Sequence, residues 1–256
     1  MLDRNLVAPF IAFLLAGFPL AASAAEIHVL SSSASALAQR DLAADFTRET
    51  GHTVKFTSGP PGVVQKHFEA GGDFAVVVMP TARIDAFDKA GLLQAGSRRA
   101  LARVGIGIAV HESAPKLDLS TLDSTRKALL DARSISYSFS DTGGESGANS
   151  MTVLAKLGIF EAVKAKLVPV QNDKGQAMIA AREVEIGLYN LIEIGRAKGV
   201  VRGGAIPASV QVYSSFDIGI PATNAVPGPA LAYRDFILDL KRRARWEAAG
   251  LELAPY

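Results

Sequence analysis

The stretch SISYSFSDTGGESGANSMTVLAKL, residues 134–157, decides the fold of this chain. It reads as a strand, a turn rich in Gly, Ser and Thr (residues 140–147), and an amphipathic helix. A turn of this composition at a helix start directs free backbone N–H groups and hydroxyls toward one point. Such a site suits an anion or a carboxylate. Because the turn contains no lysine, its ligand need not be a nucleotide.

The same strand, small-residue turn and helix design occurs at other points along the chain. Alternation of this kind predicts an α/β fold with largely parallel strands. A single such turn is ordinarily a plain helix N-cap, but several at corresponding strand ends predict one shared cleft. The segments are Ser31-Ser32-Ser33, Thr57-Ser58-Gly59, Met79-Pro80-Thr81 and residues 140–146, with Tyr189-Asn190 at an equivalent place.

Two long extended runs, near residues 103–110 and 210–220, bracket the second set of α/β units. We interpret them as two strands that cross between two lobes, which places the ligand cleft between the lobes. The predicted division is lobe 1 at 25–104 plus 211–256, and lobe 2 at 105–210.

The first 24 residues are typical of a secretory signal peptide. Arg4 precedes an apolar run at 6–20, and Ala22-Ser23-Ala24 fits the small-residue cleavage rule. The apolar run is shorter than the roughly 20 residues that span a bilayer. We therefore expect a periplasmic protein whose mature chain is not embedded in the membrane.

Composition excludes several classes of function. A net charge of +2 and the lack of a basic stripe argue against nucleic-acid binding. The chain has no cysteine, which excludes disulfides and thiolate metal sites. The glycines of the 140–147 turn do not match a dinucleotide fingerprint, and no Gly-x-Ser-x-Gly elbow is present. The four histidines lack metal-ligand spacing, so the sequence predicts neither a metal nor a cofactor.

Candidate ligand-binding residues follow from the predicted cleft. Arg103 begins the first crossing run, where a guanidinium would clamp a carboxylate, although a solvated strand-edge charge is an equal alternative. The other candidates are small or polar residues of the turns. The full predicted ligand set is Ser32, Ser33, Ser58, Gly59, Arg103, Gly144, Ser146, Gly147, Tyr189 and Asn190.

Three segments carry a resemblance to a known family: IHVLSSSASALAQRDLAADFTRETGHTV, RVGIGIAVHESAPKLDLSTLDSTRKALLDARSISYSFSDTGGESG and VEIGLYNLIEI. With them the chain resembles periplasmic solute-binding proteins of ABC transporters, of the molybdate-binding type. The resemblance implies a two-lobed type II periplasmic-binding-protein fold, a small anionic ligand, a monomer and a permease partner. It also implies ligand contacts from Ser32 or Ser33, Ser58, Ser146 and Tyr189.

The chain departs from the molybdate-binding pattern at its third strand, which reads DFAVVVMP from Asp73, and at its second turn. It also resembles a branch that includes a periplasmic aconitate isomerase. This implies a second hypothesis, an isomerase that moves a proton along an allylic tricarboxylate and needs a base. The candidate bases are His67, Asp141, Glu145 and Tyr189, and the sequence does not select among them.

Overall fold

The computed structural model describes residues 24–139, 145–171 and 174–255. Nearly all of the predicted signal peptide (residues 1–23) and part of the 140–147 turn, with Asp141 and Gly144, lie outside these ranges. The strands are β1 (Glu26–Ser32), β2 (Thr53–Gly59), β3 (Val76–Pro80), β4 (Arg99–His111), β5 (Ile135–Ser138), β6 (Leu167–Val170), β7 (Ile186–Asn190), β8 (Val200–Ala205), β9 (Tyr213–Gly219) and β10 (Glu252–Leu253). The α-helices are α1 (Ser33–Thr50), α2 (Pro61–Glu69), α3 (Thr81–Lys89), α4 (Leu122–Asp131), α5 (Glu145–Lys156), α6 (Phe160–Val163), α7 (Lys174–Ala180), α8 (Pro227–Leu238) and α9 (Arg243–Ala249). Short 3₁₀ turns occupy Lys164–Lys166, Leu191–Glu193 and Leu240–Arg242.

The strands form one mixed sheet in the order β2-β1-β3-β9-β4-β7-β5-β6, and β8 and β10 also pair with β4. The pairs β1–β2, β1–β3, β5–β6 and β5–β7 are parallel. Every pair that involves β4 or β9 is antiparallel. The α/β fold is therefore confirmed, but the sheet is parallel only toward its two ends.

β4 divides the sheet into two sections. Its first half, Arg99–Gly105, pairs with β9, and its second half, Ile106–Val110, pairs with β7. Section one contains β1, β2, β3, β9 and β10, and section two contains β5, β6, β7 and β8. Buried apolar side chains follow the same division, since one core surrounds Trp246 and Phe46 and another surrounds Leu129 and Ile108.

The chain crosses between the sections in two different ways. β4 makes the first crossing as one continuous strand of 13 residues. The return crossing was expected as a strand from residue 210, but β9 begins only at Tyr213. Before it, the Gln211 side chain substitutes for a strand partner of Ile106: it accepts from the Ile106 N–H at 2.8 Å and donates to the Ile106 carbonyl at 2.9 Å.

Two further elements differ from the sequence interpretation. Residues 230–248 have a helical sequence pattern throughout, which predicts one helix. In the structure α8 ends at Leu238, because Asp239 is extended and its carboxylate caps the Lys241 N–H. β8 was not anticipated, because its sequence VVRGGA has two glycines and weak strand character. Within the described residues, no helix has the length and apolar character needed to span a membrane.

Candidate functional site

Strands pass directly into helices at four places, with one residue at each junction. Ser32, Pro60 and Pro80 precede α1, α2 and α3, and Asn190 precedes the Leu191–Glu193 turn. All four adopt an extended, polyproline-like backbone, with φ from −57° to −49° and ψ from 136° to 150°. In the described structure none of the four side chains caps the helix that follows it, so first-turn N–H groups remain available.

These four junctions converge on one cavity of about 220 Å³, which we call the main cavity. Its first wall comes from section one and includes Ser32, Ser33 and Gly59. Its second wall comes from section two and includes Ser146, Asn190 and Glu193. The N-termini of three α-helices therefore direct positive partial charge toward the same space.

Two residues that line the main cavity, Ser32 and Asn190, each have a buried polar atom that lacks a hydrogen-bond partner within the described residues: Ser32 Oγ and Asn190 Oδ1. Ser32 is 2 % exposed and Asn190 is 4 % exposed. An unpaired buried polar atom costs about 1–3 kcal/mol, which native proteins seldom accept without a reason. Both atoms therefore have unused hydrogen-bonding capacity, as a donor or acceptor for the Ser32 hydroxyl and as an acceptor for the Asn190 amide oxygen.

The second wall is a hydrogen-bonded group built around Glu193. Ser146 Oγ accepts from the Asn190 N–H at 3.1 Å and donates to Glu193 Oε2 at 3.1 Å. Asn190 Nδ2 donates to Glu193 Oε1 at 3.1 Å. On the far side, Gln176 Nε2 donates to the Glu193 carbonyl, and Gln176 Oε1 accepts from the Gly195 N–H at 3.0 Å. Ser146 and Asn190 thus hold the Glu193 carboxyl, and Gln176 holds the backbone of the same residue.

The environment of Glu193 favours its neutral form. Burial raises the pKa of this carboxyl, and it outweighs the hydrogen bonds from Ser146 and Asn190 and the charge of Arg196, which all lower it. Among the described residues that line the main cavity, the ionisable ones are Glu145 and Glu193, and none is Lys or Arg. The donors that face the main cavity are therefore hydroxyl and backbone N–H groups rather than full positive charges.

A second, smaller cavity of about 190 Å³ adjoins the first and shares Ser33, Ser138 and Glu193 with it. Tyr189 and Arg196 also line this side cavity. The Tyr189 phenol donates to Ser136 Oγ at 2.7 Å, and burial raises its pKa to about 12. At neutral pH the phenol is therefore protonated and can act as a donor.

The structure brings several of the predicted site residues together. Ser32, Ser33, Gly59, Ser146, Asn190 and Glu145 line the main cavity, and Tyr189 lines the side cavity. Gly147 lies in the adjoining first turn of α5, where a Cβ would approach the Ser138 carbonyl oxygen to 1.8 Å. Its role in the structure is close packing of α5 against β5.

Other predicted residues lie elsewhere. The side chain of Ser58 is exposed, because successive strand residues face opposite ways, and it accepts from Arg40 at 3.3 Å. Arg103 pairs with Glu252 at 2.7 Å and lies 4.0 Å over the Tyr213 ring. His67 is exposed in the last turn of α2, whereas the first turn of that helix faces the cavity. Gly144 and Asp141 fall outside the described residues.

Sequence reasoning missed the central residue of the second wall, Glu193. It lies in the VEIGLYNLIEI segment, three residues after Asn190. A spacing of about one helical turn would place the two side chains on the same side, and this was the signal that could have identified Glu193. Other lining residues were not in the predicted ligand set, although Pro80 belongs to a turn that was predicted to face the cleft. They are Ala34, Pro60, Pro61, Pro80, Ser138, Phe139, Gln171, Ser214 and Phe216.

Residues 27–252 match the family model described as bacterial extracellular solute-binding protein. The chain belongs to this family. Over 251 residues it is 25% identical to an aconitate isomerase of a Pseudomonas species, with 95% of each chain covered. Over 194 residues it is 30% identical to the molybdate-binding protein ModA of Azotobacter vinelandii, with 72% of each covered.

Solved structures agree with this assignment at the level of the fold. A substrate-binding domain assigned to a molybdenum ABC transporter of Clostridium difficile superposes with a TM-score of 0.74 at 13% identity. The match covers 90% of this solute-binding protein and 99% of the other chain. It confirms the predicted type II periplasmic-binding-protein fold.

Proposed function

We propose that this solute-binding protein captures a small anion, an oxyanion or a carboxylate, in the main cavity and delivers it to an ABC-transporter permease. One observation carries the proposal: uncapped helix N-termini converge on the main cavity, which is lined by Ser32, a residue whose buried Oγ has no partner among the described residues. Helix N-termini bind anions through free N–H groups and a positive partial charge. Because hydroxyls and amides hold the anion, it can be released again.

We further propose export by a cleaved signal peptide at residues 1–24, and two lobes at 25–104 plus 211–256 and at 105–210. The sheet supports this division, because β4 changes partners between Gly105 and Ile106. The main cavity has walls from both sections, so movement about β4 and Gln211 would open and close it.

A binding panel tests this proposal. The mature chain is heated with molybdate, tungstate, sulfate, phosphate, citrate or trans-aconitate, and each stabilising anion is then titrated by calorimetry. A ligand at 100 times its Kd stabilises the folded state by about 2.7 kcal/mol. We expect at least one anion to raise Tm and to be recovered unchanged. If no anion binds, the proposal is wrong.

The second wall favours one alternative, an isomerase that interconverts cis- and trans-aconitate. Two carboxyl groups, Glu145 and Glu193, line the main cavity, and the burial that raises the pKa of Glu193 makes this carboxyl a stronger base for proton transfer than an exposed one. In this reaction a base removes a proton from the methylene carbon, the double bond shifts, and a proton returns to the former vinyl carbon. The similarity to an aconitate isomerase supports this alternative.

Turnover separates the two functions. The purified chain is incubated with cis-aconitate in deuterated buffer and followed by proton NMR. An isomerase produces trans-aconitate and incorporates deuterium, and Glu193→Gln should slow both processes. A receptor leaves cis-aconitate unchanged at stoichiometric protein concentration, whether or not the anion binds.

A further inference from the structure

The main cavity contains an electrostatic conflict. Its first wall is suited to an anion, yet Glu193 lies on the opposite wall and faces the same space. Two negative charges about 4 Å apart repel by about 1 kcal/mol in bulk water and by several times more near a protein surface. An ionised Glu193 would therefore oppose the binding that the helix N-termini favour.

The hydrogen bonds of Glu193 leave it able to resolve this conflict. Ser146 occupies one acceptor position on Oε2, and Asn190 Nδ2 occupies one on Oε1. The Asn190 backbone adds a third, weaker bond. A carboxylate has about four acceptor positions, so these bonds leave room for a proton. Glu193 lines both cavities, where a ligand could accept a hydrogen bond from the protonated group.

Few other charges act on this carboxyl. Arg196 lies on the side cavity and attracts it. The Tyr189 phenol on β7 is neutral at neutral pH because its pKa is raised to about 12. Glu145, the first residue of α5, lines the main cavity with it and adds negative charge. α7 contributes the uncharged Gln176, which holds the Glu193 carbonyl.

We propose that Glu193 takes up a proton when an anion binds in the main cavity, and that the resulting carboxylic acid donates a hydrogen bond to the anion. The inference rests on the anion-binding function proposed above. It makes Glu193 a specificity-determining residue, because ligands that accept this bond are favoured. Burial already moves the carboxyl toward its neutral form, and a bound anion moves it further in the same direction.

Linkage fixes the sign of the effect. If the bound state holds more protons than the free state, affinity decreases as pH rises through the pKa of the free carboxyl. One proton taken up for each anion corresponds to a loss of about tenfold in affinity for each pH unit. Above the pKa that the Glu193 carboxyl has in the anion-bound state, the affinity no longer changes with pH.

The test uses sulfate and trans-aconitate as probes, because sulfate stays doubly charged between about pH 5 and pH 8. Calorimetric titrations are run across this range in two buffers of different ionisation enthalpy, which gives the number of protons taken up. The wild type should take up close to one proton for each anion near the midpoint. Glu193→Gln should take up none and should bind with an affinity that does not change with pH.

Glu183→Gln is the matched control, since Glu183 is an exposed carboxyl in the turn after α7. It should retain the wild-type proton uptake. Wild-type binding without proton uptake would overturn the proposal, and so would unchanged uptake in Glu193→Gln. The wild-type measurement decides the matter even if that variant does not fold. If both probes fail to bind, the anion of the binding panel that does bind replaces them. If no anion of the panel binds at any pH, the anion-binding function is overturned, and this inference with it.

Discussion

The Ser32 hydroxyl provides a sharp test of the site, because its contributions to stability and to binding should have opposite signs. Ser32 Oγ is buried and finds no partner in the described part of the chain. Ser32→Ala removes an unsatisfied polar atom, so the free energy of unfolding should stay constant or rise by up to about 1 kcal/mol. The same change removes one bond to a bound anion, which is worth about 1.5–3 kcal/mol. Kd should therefore rise about 10- to 150-fold.

Ser31→Ala is the matched control at the neighbouring position. Ser31 is 0% exposed and does not line the main cavity. Its Oγ donates to the Ser32 carbonyl at 3.2 Å and accepts from Gln39 Nε2 at 3.1 Å. Loss of two hydrogen bonds should lower the free energy of unfolding by about 1–3 kcal/mol, while anion affinity changes less than about threefold.

Both variants are measured by urea unfolding without ligand and by calorimetric titration with the anion that stabilises the wild type most. Thermal unfolding provides a second measure of stability, in which Tm should fall by about 2–4 °C for each kcal/mol lost. The reasoning is refuted if Ser32→Ala destabilises the fold as much as Ser31→Ala does. It is also refuted if Ser32→Ala binds the anion as tightly as the wild type.

Three other predictions concern packing, ionisation and the C-terminal strand. Gly147→Ala should lower the free energy of unfolding in urea by about 1–3 kcal/mol, since its Cβ would collide with the Ser138 carbonyl; Gly228→Ala, which meets nothing within 4 Å, should not lower it. Glu193→Gln should be more stable than the wild type above about pH 4.5, which is the ordinary pKa of a glutamate, because ionising a carboxyl with a raised pKa lowers the stability of the folded state. Thermal unfolding at several pH values should show that this difference disappears below about pH 4.5. Arg103→Gln should lower the free energy of unfolding by about 1 kcal/mol, because it removes the contacts with Glu252 and Tyr213. Calorimetric titration should find that its anion affinity is unchanged.

The sequence predicted the places where strands end but not the form of the junctions. A turn was expected at Ser31-Ser32-Ser33, whereas β1 continues to Ser32 and α1 begins at Ser33. Strand alternation then decides which hydroxyl reaches the cavity, so Ser32 lines it and Ser58 does not. A difference of one residue in a strand end reverses that assignment, and composition alone does not resolve it.

The sequence pattern did not predict contacts between residues that are far apart in the chain, for a different reason. Arg103 has the chemistry to bind a carboxylate, and in the structure it does bind one, that of Glu252 on β10. The distance between these residues along the chain gives no local signal. Glu193 was missed because its segment is apolar, and its significance depends on the Ser146 and Asn190 contacts that only folding creates.

The two proposed functions need the same first wall and differ in what the second wall must do. In both proposals the first wall holds the anion through the Ser32 hydroxyl and the free N–H groups of the helical turns that follow Ser32, Pro60 and Pro80. Among the described lining residues the ionisable ones, Glu145 and Glu193, lie on the second wall, so any proton transfer must come from that wall. A receptor needs Glu193 to accept one proton on binding and keep it, whereas an isomerase needs such a group to return the proton to a different carbon. Turnover then depends on where the ligand carbons lie relative to the carboxyl group of Glu193. The first wall determines that position, because it fixes the anionic end of the ligand.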